Sequence, residues 1–156
     1  MLKIPEQKSI DLPNAKIFPE QHIFRPTILE LIKGDSFLNQ FGIIHGDLHP
    51  ENIMVIDENP YVIDWDLCGK GPIWYDLLSL LSHPHLYLSK EQRYRLFLDH
   101  SNSFDAKHLD LLFSSFCQFK EKQLFQFASS NSKFLKLSRL YSAAILMYNS
   151  GNGCSR

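Results

Sequence analysis

The spacing of apolar and polar positions changes near residue 74 and divides the chain into two differently built parts. Before that point, the short apolar runs 53–56 and 61–63 are separated by the polar segment 57–60, which contains the turn formers Asn and Pro. This arrangement predicts a β-hairpin. From Trp74 onward, apolar residues recur at helical spacing, so we predict helices for the remainder of the chain.

Capping residues mark where two of these helices should begin. Ser89 and Gln92 stand three residues apart and predict a capping box for a helix over 90–100. Asp105 can cap the long helix that follows. Apolar residues from 134 to 148 predict the last helix. We interpret the aromatic stripes of these helices as core.

The two ends of the chain lack such patterns. Residues 1–24 contain three prolines and no sustained period, which predicts a linker or arm. Pro26 suits the first turn of a helix that Gly34 can end. The tail 151–156 should fray. We therefore predict an arm, one folded unit over 25–150 and a short tail.

Composition and charge narrow the class of protein. The formal net charge of −1 gives no electrostatic reason to expect nucleic acid or an anionic membrane as a partner. The three cysteines form no C-x-x-C pair, which favours reduced thiols. The N-terminus does not resemble a signal peptide, and the late apolar segment 137–148 is too short to span a bilayer. We expect a cytoplasmic protein that is not bound to membranes.

The residues that carry chemistry lie around the predicted hairpin. Asp47 and Asn52 stand five residues apart across a loop that contains Pro50, so their side chains can converge. Asp64 closes the second strand, and the hairpin should fold it back beside Asn52. Phosphoryl transfer needs a carboxylate facing the acceptor hydroxyl and oxygen ligands for Mg²⁺. We predict that these three oxygen-bearing side chains meet at one end of the hairpin.

Three linked motifs carry a family resemblance. The pattern His45-x-Asp47-x-x-x-x-Asn52, followed by Ile-Asp-Trp-Asp at 63–66, resembles the catalytic loop and metal motif of the kinase-like fold. The form His-Gly-Asp-Leu-His-Pro-Glu-Asn is similar to the aminoglycoside phosphotransferase and choline kinase-like family. The segment Gly-Pro-Ile-Trp-Tyr-Asp-Leu at 71–77 matches the place where that family keeps an aspartate at a helix start.

This resemblance implies a fold. It is the C-terminal, helical lobe of the protein-kinase-like fold, mainly α with a small β-hairpin. The resemblance is sharp over 43–81, which would hold the catalytic loop and the metal motif. The helical region 85–148 would select a small-molecule hydroxyl acceptor. Aminoglycoside, choline-like amine, sugar and amino-acid alcohol all remain open as acceptors.

The resemblance also implies roles for individual residues. Asp47 would be the catalytic base or the group that orients the hydroxyl. Asn52 and Asp64 would bind the cofactors, holding Mg²⁺ against the phosphates of ATP. His45 and Asp76 would brace the catalytic loop without taking part in the chemistry.

Two departures from protein kinases favour a constitutive small-molecule kinase. Gly46 stands where protein kinases have arginine, which argues against an activation segment pinned by phosphorylation. Asp64 is followed by Trp65 and Asp66 instead of Phe-Gly, which argues against the inactivating flip of that motif. Asp66 itself is either a supporting carboxylate or a surface residue. We interpret His83 and His85 as surface histidines of a loop.

The nucleotide-cradling half of such an enzyme is not recognisable. A five-stranded N-terminal lobe with one helix needs about 70 residues, and only 44 precede His45. Those residues contain no Gly-rich loop, and their lysines lack a flanking β-branched run. We therefore expect a C-terminal lobe without the ATP-binding lobe that activity needs: either a truncated gene product, or a chain whose partner chain supplies the other lobe.

Two other interpretations stay open. The chain can be a non-catalytic kinase-like remnant that serves as an interaction module. Alternatively, Gly46-Asp47-Leu48-His49 resembles the Asp-x-His opening motif of metallophosphoesterases, with His45, Asp64 and Asp66 as further ligands. The later Asp-Arg and Asn-His-Glu motifs of such hydrolases are missing from the sequence.

Overall fold

The computed structural model describes residues 40–101, 104–128 and 131–150. The predicted arm 1–24, the predicted helix that begins at Pro26 and the predicted tail 151–156 lie outside the described residues. The described part is mostly helical and carries two small antiparallel strand pairs. None of its helices is both long enough and apolar enough to cross a membrane.

One strand pair frames the loop in which the candidate chemistry lies. Strand β1, Phe41–Ile44, pairs antiparallel with β4, Gly69–Pro72, so that Ile44 faces Gly69. Strand β4 was not predicted, because a run of Gly, Lys, Gly and Pro is poor in strand-forming residues. Only pairing with a distant segment makes it a strand.

The predicted hairpin is confirmed, with a correction to its turn. Strand β2, Ile53–Ile56, pairs with β3, Asn59–Val62. The turn is only Asp57 and Glu58, whose φ angles are 49° and 64°. A two-residue turn with both φ values positive matches the twist of the flanking strands. Consequently Asn59 and Pro60, expected to be turn residues, instead begin the second strand.

The helices predicted from Trp74 onward are confirmed. They are α1, Trp74–Ser82; α2, Lys90–Ser101; α3, Leu109–Phe127; and α4, Ser132–Asn149. Helices α3 and α4 share the most extensive packing between elements. Their buried faces, together with those of α1 and α2, build an aromatic core around Phe97, Phe113, Phe116, Tyr141 and Tyr148.

Helix starts follow the capping signals closely. Ser89 Oγ accepts a hydrogen bond from the Gln92 amide at 3.2 Å, and Gln92 Oε1 accepts one from the Ser89 amide at 2.8 Å. This is the predicted capping box. Asp105 accepts from the Lys107 amide at 3.1 Å, and so caps a short 3₁₀ turn that leads into α3. The long helix therefore starts at Leu109, slightly later than predicted.

A buried arginine fixes the connection between α1 and α2. The Arg93 guanidinium is only 6% exposed and donates to the carbonyl oxygens of Leu81, His83 and Leu86. Its Nε also donates to the Leu88 carbonyl, at 3.0 Å. One planar donor group thus binds four backbone carbonyls, two of which, those of His83 and Leu86, also accept a backbone amide. The connection forms one wall of the cavity described below.

The hairpin exposes an unusually apolar surface. Both strands and the residue after them carry large side chains that are at least about one-third exposed, and these define the apolar hairpin surface: Met54, Val55, Ile56, Tyr61, Val62 and Ile63. Contiguous exposed apolar patches of this kind usually mark an interaction site.

Candidate active site

The start of the loop 45–52 is held by one carboxylate from α1. Asp76, in the first turn of that helix, accepts hydrogen bonds from the His45 amide at 2.6 Å and from the Gly46 amide at 3.0 Å. Its position near the helix N-terminus also suits a negative charge. Asp76 therefore lies where the sequence analysis expected a brace for this loop.

The His45 ring ties the same loop to the end of the hairpin. Nε2 lies 2.8 Å from the carbonyl oxygen of Ile63 and can only donate to it. Nδ1 is then the acceptor for the Asp47 amide, at 3.3 Å. The ring is 2% exposed and packs edge-on against Trp65. Both ring nitrogens are thus engaged within the protein, which leaves neither for a metal ion.

Gly46 occupies a position that tolerates no side chain. Its φ is +83°, in the left-handed region that favours glycine. A Cβ atom added there would lie 2.5 Å from the carbonyl oxygen of Leu67. The close approach of the loop to the segment after the hairpin therefore requires glycine.

Asn52 is buried, and its side chain is oriented by the loop itself. It ends a 3₁₀ turn that begins at Pro50, and it is 7% exposed. Its side-chain Nδ2 donates to the backbone carbonyl of Asp47 at 3.0 Å, and its own backbone carbonyl accepts from the Ile63 amide at 3.0 Å. The side-chain oxygen Oδ1 is therefore the atom of this amide that accepts no hydrogen bond from any described residue.

Asp64 follows the hairpin in an uncommon backbone conformation. Its φ is +62° and its ψ is +60°, which is the left-handed region that Asp and Asn tolerate better than most residues. Ile63 bonds to both Asn52 and His45, so the backbone brings Asp64 to the end of the hairpin where β2 starts. The Asp64 carboxylate is exposed and has no hydrogen bond or ion pair in the described part of the chain. Asp66 is exposed as well.

Asp47 presents a carboxylate that is about one-third exposed and lies between two basic groups. Oδ2 lies 3.6 Å from His49 Nε2, and Oδ1 lies 3.8 Å from Lys120 Nζ. The neighbouring His49 ring is the largest cause that holds the pKa of Asp47 below its ordinary value; burial opposes this shift, and the Lys120 charge adds to it. The carboxylate is therefore ionised at neutral pH and can accept a hydrogen bond.

Lys120 is a site residue that the sequence analysis missed. It lies on α3, is 7% exposed, and its ammonium lies 6.0 Å from the centre of the Tyr75 ring. Burial lowers the pKa of Lys120, while Asp47 acts in the opposite direction. One signal was available, since Lys120 follows Phe113 and Phe116 at spacings of seven and four, on the apolar face of the helix.

Three histidines stack beside Asp47, and one of them corrects the sequence analysis. The rings of His49 and His83 stack with centres 5.3 Å apart, and His85 meets His83 edge-on at 5.2 Å. His83 is 4% exposed and therefore not a surface residue. It directly follows the last residue of α1, and its ring meets the Tyr141 ring edge-on at 6.1 Å. Burial lowers its pKa to about 4, so this ring is neutral at physiological pH.

A cavity of about 340 Å³ opens next to the Asp47 carboxylate. Its walls come from the loop 45–52, from the connection after α1, and from α3 and α4. Its lining combines apolar side chains with charged and polar groups that converge from different elements, including Asp47, Glu51, Lys120, Lys136 and Tyr141. Its position and mixed lining suit a small-molecule site.

The described residues do not assemble a multi-ligand transition-metal centre. In that part of the chain no group of three or more His, Cys, Asp and Glu side chains is arranged to hold a metal ion. His45, which the hydrolase interpretation needs as an additional ligand, has both ring nitrogens engaged by backbone groups. The geometry gives the metallophosphoesterase interpretation no support.

Comparison with known proteins points to one family. Residues 22–104 match the phosphotransferase enzyme family, whose enzymes generally use ATP and Mg²⁺. Two proteins of Haemophilus influenzae, both named protein LicA, are 27% identical to the chain over 85 residues. These matches cover 47% of this chain but only 30% and 24% of the relatives. No solved structure matches.

Proposed function

The chain belongs to the phosphotransferase enzyme family, and from this premise we propose that it supports ATP- and Mg²⁺-dependent transfer of a phosphoryl group to a hydroxyl of a small molecule. The observation that carries the proposal is the ionised Asp47 carboxylate at the edge of the 340 Å³ cavity. An acceptor held in that cavity would present its hydroxyl to a carboxylate whose loop is fixed on both sides.

Asp47 is proposed to orient the hydroxyl and to take its proton as the bond to phosphorus forms. A carboxylate with a low pKa is a weak base, so its main contribution is to align the hydroxyl by accepting its hydrogen bond. The loop supplies the rigidity this requires. Asp76 holds the amides of His45 and Gly46, and Asn52 holds the carbonyl of Asp47 itself.

Asn52 and Asp64 are proposed to hold Mg²⁺. The donor set fits, since Mg²⁺ prefers oxygen ligands and both residues offer an oxygen that no described residue engages. When bound, ATP would supply the phosphoryl group and Mg²⁺ would neutralise the charge on the phosphate oxygens. The protein contributes the orientation of both side chains through the backbone bonds that Ile63 makes to Asn52 and His45.

We further propose that turnover requires an N-terminal lobe, either on the same polypeptide or on a separate chain. The support is threefold. The curated relatives are much longer than this chain, the residues before His45 contain no Gly-rich loop, and the apolar hairpin surface is exposed. Such a lobe would cover that surface and would complete the nucleotide site as the C-terminal lobe's partner.

Activity in a complete assembly tests the proposal. Combined with a matching N-terminal lobe, the chain should transfer phosphate from ATP to a small alcohol, and Asp47→Asn should lose roughly 10²–10⁴-fold in rate. Asp64→Ala should abolish Mg²⁺-dependent turnover. Asp57→Asn is the matched control and should retain full activity, because Asp57 is likewise an exposed carboxylate but lies at the far end of the hairpin. An Asp47→Asn variant as active as the parent would contradict the assignment.

Metal titration of the chain itself provides a second test. With ATP present, Mg²⁺ or Mn²⁺ should bind, and Asp64→Ala should weaken that binding, because an oxygen-only donor set favours these ions. Stoichiometric zinc binding that is lost in His49→Ala would instead favour the hydrolase interpretation. An assembly that binds neither nucleotide nor metal would favour the non-catalytic interaction module.

A further inference from the structure

We propose that the cavity beside Asp47 takes a hydroxylated acceptor that carries an anionic group, in place of the cationic aminoglycosides or choline-like amines. The inference rests on the proposed function only where it calls this ligand the acceptor. The preference for an anionic ligand is argued from the cavity alone. Four observations carry it: the charges of the lining, the state of its carboxylates, its unpartnered polar atoms, and its size.

The carboxylates of the lining already have basic partners. Glu51 lies 3.3 Å from Lys133 Nζ and 3.4 Å from His85 Nδ1. The pKa of Glu51 is accordingly held below its ordinary value, chiefly by Lys133. Asp47 is likewise flanked by Lys120 and a histidine. Because both carboxylates already have basic neighbours, each attracts the ammonium group of a cationic ligand less strongly than an unpaired carboxylate would.

The lysines of the lining are less completely paired. The lining includes Lys120, Lys133 and Lys136 against only two carboxylates. Lys136 lies three residues after Lys133, one helical turn along α4, and forms no ion pair with any described residue. The lining therefore presents a positive charge without a counterion, and a ligand anion can supply one.

Two buried polar atoms at the cavity also lack partners. The Tyr141 hydroxyl belongs to a side chain that is 0% exposed, yet it has no hydrogen-bond partner among the described residues. His49 Nδ1 is similarly buried and unpartnered in that part of the chain. Buried polar atoms are normally hydrogen-bonded. A side-chain shift that turned either atom toward the cavity would let a ligand hydroxyl pair with it, which is compatible with a hydroxylated compound.

The cavity also lacks the features that cationic ligands need. Quaternary ammonium groups are bound over several aromatic faces. Phe134 and Tyr141 are the aromatic carbocycles among the described lining residues, and Tyr141 is wholly buried. At about 340 Å³ the cavity lies at the low end of the roughly 300–1,000 Å³ of small-molecule sites. That volume suits one sugar-sized compound and not a multi-ring polycation.

Three probes that share a six-carbon polyol skeleton test the charge preference. Gluconate carries a carboxylate, sorbitol is neutral, and glucamine carries an ammonium group. Each is titrated into the chain without ATP, at low ionic strength and near neutral pH, while NMR follows the Tyr141 and His83 signals. Gluconate should bind about tenfold more tightly than glucamine, with sorbitol between them, and added salt should narrow the difference.

A charge-reversal pair identifies the lysine involved. Lys136→Glu should weaken gluconate binding by roughly fivefold or more, since it replaces an attraction with a repulsion near the cavity. Lys122→Glu makes the same change at an exposed position of α3 outside the lining and should leave gluconate affinity unaltered. Both positions are at the surface, and circular dichroism verifies that each variant is folded.

Three results would overturn the inference: glucamine binding as tightly as gluconate, no saturable change with any of the probes, or equal effects of the two lysine variants. The proposed function has a separate readout. A chain that binds gluconate but never transfers phosphate in the complete assembly contradicts the proposed function alone. Transfer to glucamine in preference to gluconate contradicts the charge preference alone.

Discussion

Replacing Asp76 with alanine should remove two hydrogen bonds that hold the loop 45–52 and should lower the free energy of unfolding. The carboxylate accepts from the buried amides of His45 and Gly46 at 2.6 and 3.0 Å. A hydrogen bond to a charged group contributes roughly 1.5–3 kcal/mol, so two lost bonds would cost about 3–6 kcal/mol. Asp76 is partly exposed, and water can reach the vacated space. We therefore expect about 2–4 kcal/mol, a large fraction of the roughly 5–15 kcal/mol that stabilises a typical domain.

Urea unfolding followed by circular dichroism and tryptophan fluorescence measures this loss. Asp76→Ala should lower the midpoint without changing the slope, and Asp76→Asn should lie between it and the parent, because its amide sets a donor against one of the two backbone donors. Asp99→Ala is the control, since Asp99 is an exposed carboxylate on α2 that forms no hydrogen bond or ion pair with any described residue. A loss of less than about 1 kcal/mol of unfolding free energy in Asp76→Ala would refute the role of this carboxylate in holding the amides of His45 and Gly46.

Three further predictions concern the surrounding framework. Arg93→Lys keeps the charge but loses the planar donor group, so urea unfolding should show a loss of about 2–4 kcal/mol; an unchanged midpoint would contradict the role of the guanidinium. Ser89→Ala removes one half of the capping box and should cost about 1 kcal/mol in thermal unfolding, whereas Ser150→Ala, near the chain end, should cost much less. His83 has a folded-state pKa of about 4, below the ordinary 6.5, so the unfolded chain takes up its proton first as the pH falls. Stability should therefore decrease from about pH 6.5 down to pH 4, by about 2 kcal/mol between pH 7 and 5, and His83→Asn should remove that part of the decrease. A parent and variant with the same pH dependence would show that this ring does not titrate as described.

Local signals explain what the sequence could predict of the fold. The hairpin follows from two apolar runs around a polar segment, and the capping box follows from Ser89 and Gln92, because both depend on residues close together in the chain. Strand β4 has no such signal, since its identity comes from pairing with β1. The left-handed turn at Asp57 and Glu58 also escaped prediction, because neither residue is the Asn or Gly that usually marks it.

The residues of the candidate site also fall into two groups, those that local sequence motifs suggested and those that only helix packing brings together. Asp76 accepts a hydrogen bond from the His45 amide, and the His45 ring bonds to the Ile63 carbonyl. The family resemblance suggested a supporting role for both residues, and that role stays a prediction. Lys120 and the Tyr141 hydroxyl come from α3 and α4, and only the packing of those helices brings them to Asp47. No spacing rule relates positions so far apart in sequence. The catalytic role of Asp47 and the metal-binding roles of Asn52 and Asp64 stay predictions.

The glycine at position 46 restricts how descendants of this chain can come under control. Protein kinases use an arginine at the corresponding motif position to receive a phosphorylated segment. Here the backbone is left-handed and the Leu67 carbonyl already occupies the space of a Cβ atom. A single codon change to arginine would therefore disrupt the loop before it could gain a phosphate receptor. Regulation by phosphorylation at this position could evolve only after the segment around Leu67 had moved. The obstacle is therefore the backbone conformation and not the absence of a charged residue.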